Sequence, residues 1–263
     1  MTVGIIGYGN MGAALATGIQ ETRPDVRLAI LEIAPARRKW AVQKLNAVDC
    51  GTDAGKLCEV SDVVVLAVPP MEFGPLAAGL VKHIGDRVVI SLLAYVTLEQ
   101  LVEGLQTRNV CRFMPNIAAE VGQALIGIAY PENPSEALVA ASSDLAKAVG
   151  MPLCVSEALI PAINGLSGSG IAFLLKFIHG ACLGAVETGM RYQDALTAML
   201  QVLRGTTALL DQGGEHPIEL VSKVTTPGGA TIAGVRELDM HGFEGIVEAG
   251  VIASASRALE TEH

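Results

Sequence analysis

The chain has 263 residues, of which 51% are apolar, and carries a formal net charge of −9 at pH 7. This length allows one large domain or two smaller ones, and the apolar content supplies ample core. The negative charge argues against nucleic acid or an anionic membrane surface as a partner, but it is compatible with a small anionic substrate, which needs only local donors.

The start of the chain has the pattern of a dinucleotide-binding unit. A short apolar strand at 3–6 leads into Gly7-Tyr8-Gly9-Asn10-Met11-Gly12, which matches G-x-G-x-x-G, and a helical pattern follows. Gly7 permits the tight turn, Gly9 lets the backbone approach a pyrophosphate, and Gly12 lets the helix pack closely on the strand. The helix N-terminus, beginning with Asn10 and Met11, offers unpaired N–H groups to the anion.

An acidic residue stands where such units bind the ribose. A second predicted strand, 26–31, ends at Glu32, which lies 20 residues after Gly12. Glu32 can accept both ribose hydroxyls of NADH and would repel the 2′-phosphate of NADPH. Arg37 and Arg38 are alternative partners for that phosphate, and the structural alternative for Glu32 is capping of the next helix. We expect NADH to be preferred, because a carboxylate in direct contact should outweigh cations on a mobile helix start, with NADPH still used.

Strands and helices alternate over the first 156 residues. Further strands are predicted at 63–68, 87–92, 110–113, 125–129 and 152–155. Helices are predicted at 71–83 and 135–149, with Thr97 capping another short one. This alternation predicts an α/β fold with a Rossmann-like, doubly wound and mostly parallel sheet.

After residue 156 the strand signals stop, and helical stretches follow at 161–190, 194–212, 217–223 and 231–263. The sequence therefore predicts a dinucleotide-binding domain at 1–156 and an all-α domain at 157–263. The apolar stretch 166–190 contains charged residues and many glycines, so it predicts a buried helix rather than a membrane span. Because this helix would expose a large apolar face alone, we expect it and 194–212 to pack against their equivalents in a homodimer.

Two features bear on where the protein works. The first strand begins at residue 2 or 3, so no signal peptide is expected. The five cysteines include no C-x-x-C pair, so they predict free thiols rather than disulfides or a metal site. We therefore expect a cytoplasmic protein without a bound metal.

Ligands of open α/β sheets bind at the carboxyl ends of the strands. Three predicted strand ends carry candidate cofactor-binding residues, which are Val68 and Pro69, Ser91 and Ala94, and Met114, Pro115 and Asn116. The prolines either end their strands or form a rigid wall for the nicotinamide and its ribose, and the sequence favours neither interpretation.

The helical half contains two stretches that interrupt its pattern. Gly165-Leu166-Ser167-Gly168-Ser169-Gly170 breaks an apolar run, which costs helix stability and indicates either a ligand-facing turn or a close helix crossing. Further on, Gly228 and Gly229 precede a helix start whose free N–H groups can bind a carboxylate, and Thr226 and Thr231 add hydroxyls. An ordinary helix–helix turn with threonine capping is the alternative.

Five motifs occur in the order typical of one enzyme family. They are Gly7–Gly12, Met114-Pro115-Asn116, Ser167-Gly168-Ser169-Gly170, Gly214-Glu215-His216-Pro217 and Thr226-Pro227-Gly228-Gly229-Ala230-Thr231-Ile232. Over essentially the whole chain the sequence resembles pyrroline-5-carboxylate reductase. The resemblance implies hydride transfer from NAD(P)H to the C=N carbon of Δ1-pyrroline-5-carboxylate, giving L-proline, in a dimer that often assembles into a decamer.

The resemblance also implies roles for individual residues. The Thr231 hydroxyl bonds the ring nitrogen of the substrate and is the catalytic candidate. Asn116 and Met114 position the nicotinamide, and Ser91 and Ala94 lie beside it. The substrate-binding candidates are Thr226, Gly228, Gly229, Ala230, Ser167 and Ser169.

The chain departs from the family pattern at several places, and alternatives stay open. Pro69 stands where a lysine is usual, Tyr95 where a glycine is usual, and Ile117 and Ile171 also differ, which leaves a reductase of a related cyclic imine open. A hydroxyacid dehydrogenase of the 6-phosphogluconate or 3-hydroxyisobutyrate type needs a lysine, but Lys176 lies two residues late, about 200° around a helix. A catalytically inactive nucleotide-binding regulator is the third alternative.

Overall fold

The computed structural model describes residues 1–262. Eight strands form one sheet in the spatial order β3-β2-β1-β4-β5-β6-β7-β8. They are β1 Thr2–Ile6, β2 Arg27–Leu31, β3 Val48–Asp49, β4 Val63–Leu66, β5 Val88–Ser91, β6 Val110–Met114, β7 Ala124–Ala129 and β8 Gly150–Cys154. The strand order reverses between β1 and β4, as in a doubly wound fold, so the predicted fold class is confirmed.

One neighbouring pair of strands, β6 and β7, is antiparallel, and the other pairs are parallel. The connection from Met114 to Ala124 holds one 3₁₀ turn, Ile117–Val121, and is too short for the helical crossover that a parallel pair needs. Strand β3 was not predicted, because two residues that include Asp49 carry no apolar pattern.

Six helices accompany the sheet in the first half. They are α1 Asn10–Thr22, α2 Pro35–Leu45, α3 Ala54–Val60, α4 Phe73–Leu80, α5 Leu98–Leu105 and α6 Glu136–Val149. The predicted helix at 71–83 is shorter, since a 3₁₀ turn at Pro70–Glu72 precedes α4. The capping role of Thr97 is confirmed, because its hydroxyl accepts from the Gln100 N–H at 3.2 Å and Gln100 Oε1 accepts from the Thr97 N–H at 2.9 Å.

The sheet is buried on both faces. Ile5 and Val65 belong to the core cluster on one face, while Ile6 and Val64 belong to the cluster on the other. Because successive side chains point to opposite faces, a strand covered on both sides needs apolar residues throughout. This explains why the central strands are continuous apolar runs in the sequence.

The second half is helical, but two predicted helices are each divided. Its helices are α7 Ile160–Ile163, α8 Gly170–Glu187, α9 Tyr192–Gly213, α10 Pro217–Val224, α11 Ala230–Met240 and α12 Phe243–Glu262. The prediction of one helix at 161–190 is wrong, because a π-helical turn at Asn164–Gly168 separates α7 from α8. The stretch 231–263 divides after Met240, since Gly242 adopts φ +67°, a conformation that ends helices.

The long apolar helix α8 is not covered by its own chain. Cys182 is its one buried residue, and Leu174 and Leu175 are 56% and 59% exposed. The prediction of a buried helix therefore holds only if a second chain covers this face. By length and composition alone, Glu157–Glu187 is long and apolar enough to cross a membrane, but a single helix of this kind is weak evidence for a span.

The chain divides into two compact units. The first is Met1–Gly168 together with the residues from Ala253 onward, and the second is Ser169–Ile252. Within the second unit, α8 contacts α9 through a hydrogen bond of 2.9 Å between His179 Nδ1 and the Tyr192 hydroxyl. The first unit contains the whole sheet.

The packing of α1 generates a prediction about stability. A Cβ atom on Gly18 would lie 2.0 Å from the Ala119 carbonyl oxygen and 3.0 Å from Val149 Cγ1. Gly18→Ala should therefore lower the free energy of unfolding by about 1–3 kcal/mol, because backbone must move. Gly79→Ala on α4 is the matched control, since a Cβ there meets nothing within 4 Å and should stabilise the helix by about 0.5–1 kcal/mol. Thermal unfolding of both variants checks this, and equal melting temperatures would contradict it.

Candidate active site

Two close backbone approaches shape the glycine-rich loop between β1 and α1. Gly7 has φ +92°, and a Cβ there would lie 2.6 Å from the Ala67 carbonyl oxygen. A Cβ on Gly12 would lie 2.3 Å from the Gly7 carbonyl oxygen. The tight turn and the close helix packing that the sequence predicts for these residues therefore both require glycine.

The start of α1 has the properties of an anion-binding site. Gly9 is the N-cap residue, α1 has no side-chain cap and no acidic residue in its first turn, and the space beside Gly9 is open within 4 Å. Asn10 is exposed and Met11 is half-buried, so the first turn is reached from solvent. Free N–H groups, the positive end of the helix dipole and an open approach together fit the pyrophosphate of a dinucleotide.

Glu32 lies directly beside this loop and is 4% exposed. Its Oε2 accepts a hydrogen bond from the Tyr8 N–H at 2.8 Å, and its Oε1 accepts one from the Ala34 N–H at 2.8 Å. Arg37 approaches Oε2 at 3.5 Å, whereas Arg38 bonds the Glu32 carbonyl oxygen. The carboxylate therefore joins the glycine loop to the start of α2, so the capping alternative describes part of its role. Oε1, which accepts only from the Ala34 N–H, keeps a lone pair for a further donor.

The neighbouring loops after β4 and β5 carry four more candidates. Strand β4 ends at Leu66, so Val68 and Pro69 lie in the loop beyond it, half-buried and exposed respectively. Ser91 is the last residue of β5 and is fully buried, and its Oγ accepts from the Leu93 N–H at 3.3 Å. This bond shapes the turn that presents the half-buried Ala94.

Asn116, after β6, is bonded to the serine–glycine motif. Asn116 Nδ2 donates to Ser167 Oγ at 2.9 Å, and Asn116 Oδ1 accepts from the Ala118 N–H at 3.1 Å. Both Asn116 and Ser167 are 9% exposed, Pro115 is buried and Met114 is half-buried. The structure therefore brings together two residues that the sequence placed separately, and the π-helical turn at Asn164–Gly168 makes this contact.

The second unit holds the remaining substrate candidates. The Gly229 N–H donates to the Thr226 carbonyl oxygen at 3.0 Å, and Gly228 has φ +69°, so these residues form a tight turn before α11. Gly229 is the N-cap residue and offers no side-chain cap, which leaves the N–H groups of Ala230 and its successors available. Thr231 is the second residue of α11 and is exposed, so the alternative that Thr231 caps the helix is wrong.

Ser169 also belongs to the second unit. It is the N-cap residue of α8 and is half-buried. The other serine of the predicted Ser167–Gly170 motif, Ser167, belongs to the first unit.

Sequence reasoning missed a buried ion pair at Arg112. This arginine on β6 is 2% exposed, and its guanidinium lies 2.7 Å from Glu157 Oε1. The same oxygen accepts from the Leu98 N–H at 2.6 Å, so one carboxylate joins β6 to the start of α5. The available signal was a single charge inside the apolar run Val110–Met114. Breaking this bond is costly at a guanidinium that is 2% exposed, which is why such pairs hold their geometry.

Two buried ionisable groups near the sheet stay protonated at neutral pH. Burial raises the pKa of the Tyr8 phenol, in the glycine-rich loop, whose ring packs against Trp40 on α2 at a centroid distance of 6.0 Å. Burial also raises the pKa of the Cys111 thiol well above its usual range. Neither group is therefore suited to act as a nucleophile or as a base.

Family models match both halves of the chain. Residues 157–261 match the model described as pyrroline-5-carboxylate reductase dimerisation, and residues 2–95 match the one described as NADP oxidoreductase, coenzyme F420-dependent. A pyrroline-5-carboxylate reductase of Synechocystis sp. is 34% identical over 260 residues, which cover 98% of this chain and 97% of the relative. The chain belongs to the pyrroline-5-carboxylate reductase family. This membership argues against the hydroxyacid dehydrogenase and regulator alternatives.

Solved structures of pyrroline-5-carboxylate reductases share this fold. The enzyme from Streptococcus pyogenes superposes with a TM-score of 0.88 at 26% identity, covering 98% of both chains. A Plasmodium falciparum pyrroline carboxylate reductase with NADP bound gives a TM-score of 0.90 at 20% identity, covering 100% of this chain and 98% of that one, and shows the fold alone. The family model for dimerisation begins where the helical half begins.

Proposed function

We propose that the protein reduces the C=N bond of Δ1-pyrroline-5-carboxylate to give L-proline, with a nicotinamide dinucleotide as cofactor. The observation that carries this proposal is the full-length similarity to pyrroline-5-carboxylate reductases, which includes both halves of the chain. The glycine-rich loop supports it independently, because its geometry suits a dinucleotide whatever the substrate.

The cofactor supplies the hydride when it is bound. The open N-terminus of α1 at Gly9–Gly12 would hold the pyrophosphate, and Glu32 would lie at the ribose. The loops that carry Val68, Pro69 and Ala94, together with Met114, Pro115 and Asn116, would border the nicotinamide. The bond from Asn116 to Ser167 keeps that amide in one orientation, so positioning costs no ordering during turnover.

The substrate site is proposed at the turn before α11. The N–H groups of Gly228 and Ala230 would bind the carboxylate, with the Thr226 hydroxyl beside them, whereas the Gly229 N–H already donates to the Thr226 carbonyl oxygen. Ser167 and Ser169 are further candidate contacts. The Thr231 hydroxyl would hydrogen-bond the ring nitrogen of an imine that arrives already protonated from water, so no strong general acid is required. Reduction then depends mainly on positioning and electrostatics.

NADH is the preferred cofactor in this proposal. Glu32 is held by the Tyr8 and Ala34 N–H groups, so its charge cannot swing away from a 2′-phosphate. Arg38 is engaged by the Glu32 carbonyl oxygen and by Asp49 at 3.3 Å, which leaves Arg37 as the more exposed cation. NADPH would therefore still bind, more weakly.

The experiment that tests the proposed reaction follows the loss of NADH or NADPH absorbance. We expect turnover of Δ1-pyrroline-5-carboxylate, a lower KM for NADH than for NADPH, and slower reduction of the homologous imine with a six-membered ring. Reduction of the larger ring alone would establish the related cyclic imine as substrate. A much lower KM for NADPH would contradict the role given to Glu32 without affecting the proposed reaction.

Thr231→Ala should lower kcat/KM by ~10- to 100-fold, because it removes one or two hydrogen-bond equivalents from the transition state, about 1.4–2.7 kcal/mol. Thr231→Val should behave similarly, since it keeps the shape and removes only the hydroxyl. Unchanged circular dichroism in both variants is the control for folding. Wild-type turnover by both variants would remove Thr231 from the mechanism.

The family model over 157–261 supports oligomerisation. We propose a homodimer in which α8 and α9 pack against their equivalents in the second chain. We also propose that the protein is cytoplasmic and that dimers assemble further into a decamer. We also propose the functional division at 1–156 and 157–263. The exposed Leu174 and Leu175 on α8 support the dimer, because an apolar face of this kind is normally covered.

Light scattering at micromolar concentration should give the mass of at least a dimer. Leu175→Glu should weaken the assembly, since the carboxylate would be desolvated in an apolar interface. Val139→Glu, at an exposed apolar position on α6, is the control and should leave the mass unchanged. A monomeric wild-type protein would refute the proposed interface.

A further inference from the structure

Tyr95 adopts a backbone conformation that a bulky residue rarely takes. Its φ is +70°, in the left-handed region, which is unfavourable for residues that carry a Cβ. The other non-glycine residues of this kind among those described are Asn46, Gln106 and Asn133. Asn46 and Gln106 end helices, and asparagine tolerates this region, whereas Tyr95 is an aromatic residue in a strand-to-helix loop.

The loop around Tyr95 is held firmly on both sides, which is why the strain persists. Leu93 and Val96 are buried in the core, at 3% and 5% exposure. Thr97 begins α5 with a complete capping box to Gln100. These anchors fix the path of the backbone, so residue 95 must occupy the left-handed region whatever its side chain. Glycine would meet this requirement without strain, and the chain has tyrosine instead.

Tyr95 lines a groove of about 810 Å³ in the first unit. Its lining also includes Pro70 and Met71, in the 3₁₀ turn after β4, together with Phe73 on α4 and Gly104 on α5. Two of these residues directly follow proposed borders of the nicotinamide, since Pro70 follows Pro69 and Tyr95 follows Ala94. The two loops leave the sheet side by side, because Leu66 and Ser91 are partners in the β4–β5 register.

We propose that Tyr95 is a positioning residue for the cofactor. Its ring, at a groove whose lining also includes Pro70 and Met71, would hold the β4 and β5 loops in register, so that Pro69 and Ala94 stand at a fixed separation where the nicotinamide would bind. The inference rests on the proposed cofactor site but not on the identity of the imine.

The test separates the backbone strain at residue 95 from the contribution of the Tyr95 ring. Tyr95→Gly removes the strain and the ring together. It should raise the melting temperature by about 2–6 °C and raise the Kd for NADH about 3- to 10-fold. Tyr95→Ala keeps the strain and should raise the Kd similarly without stabilising the protein. Tyr95→Phe should bind NADH as the wild type does. The matched control is Gln106→Gly, which relieves strain at φ +53° outside the groove and should raise the melting temperature with no change in Kd.

Binding of NADH is measured directly, by fluorescence titration without any imine, and unfolding is measured on the protein alone. If Tyr95→Gly is more stable and binds NADH within about 2-fold of the wild type, the ring has no positioning role. If Tyr95→Gly is less stable than the wild type, the strain argument fails as well. Loss of affinity in a protein that does not reduce Δ1-pyrroline-5-carboxylate would support the role of Tyr95 and overturn the proposed substrate.

Discussion

The nucleotide-binding half depends on one steric constraint, the contact between the start of α1 and the turn after β1. Gly12 lies so close to the Gly7 carbonyl oxygen that a Cβ would stand 2.3 Å from it, and Gly7 is similarly close to Ala67 after β4. These approaches place the N-terminus of α1 at the carboxyl ends of β1 and β4, where the strand order reverses. The N–H groups proposed to bind the pyrophosphate and the loops proposed to border the nicotinamide take their positions from this arrangement.

Buried charges tie the surrounding loops to that framework. Glu32 joins the glycine-rich loop to α2 through the Tyr8 and Ala34 N–H groups, and Glu157 joins β6 to α5 through Arg112 and the Leu98 N–H. Charged hydrogen bonds of this kind are strongly directional and are costly to break in a poorly solvated site. These hydrogen bonds hold the loops rigid where the chain has no regular secondary structure. A reaction that depends on positioning requires such rigidity around its site.

The helical half follows a different physical rule. Its residues are largely exposed within one chain, and α8 has a single buried residue, Cys182. Apolar side chains such as Leu175 therefore contribute little to the stability of the isolated chain and much to an assembly that would cover them. The family model over 157–261 describes this region as one of dimerisation.

The order of elements, the continuous apolar strands and the roles of Gly7 and Gly12 could be predicted from the sequence, because each follows from local spacing or from the absence of a side chain. Tertiary structure alone decided what depends on distant partners. It divided the helix predicted at 161–190 by a π-helical turn, since Ser167 bonds to Asn116, a residue 51 positions away. It paired Arg112 with Glu157, and it placed Tyr95 in a conformation that its own preference opposes, because neighbouring anchors fix the backbone there.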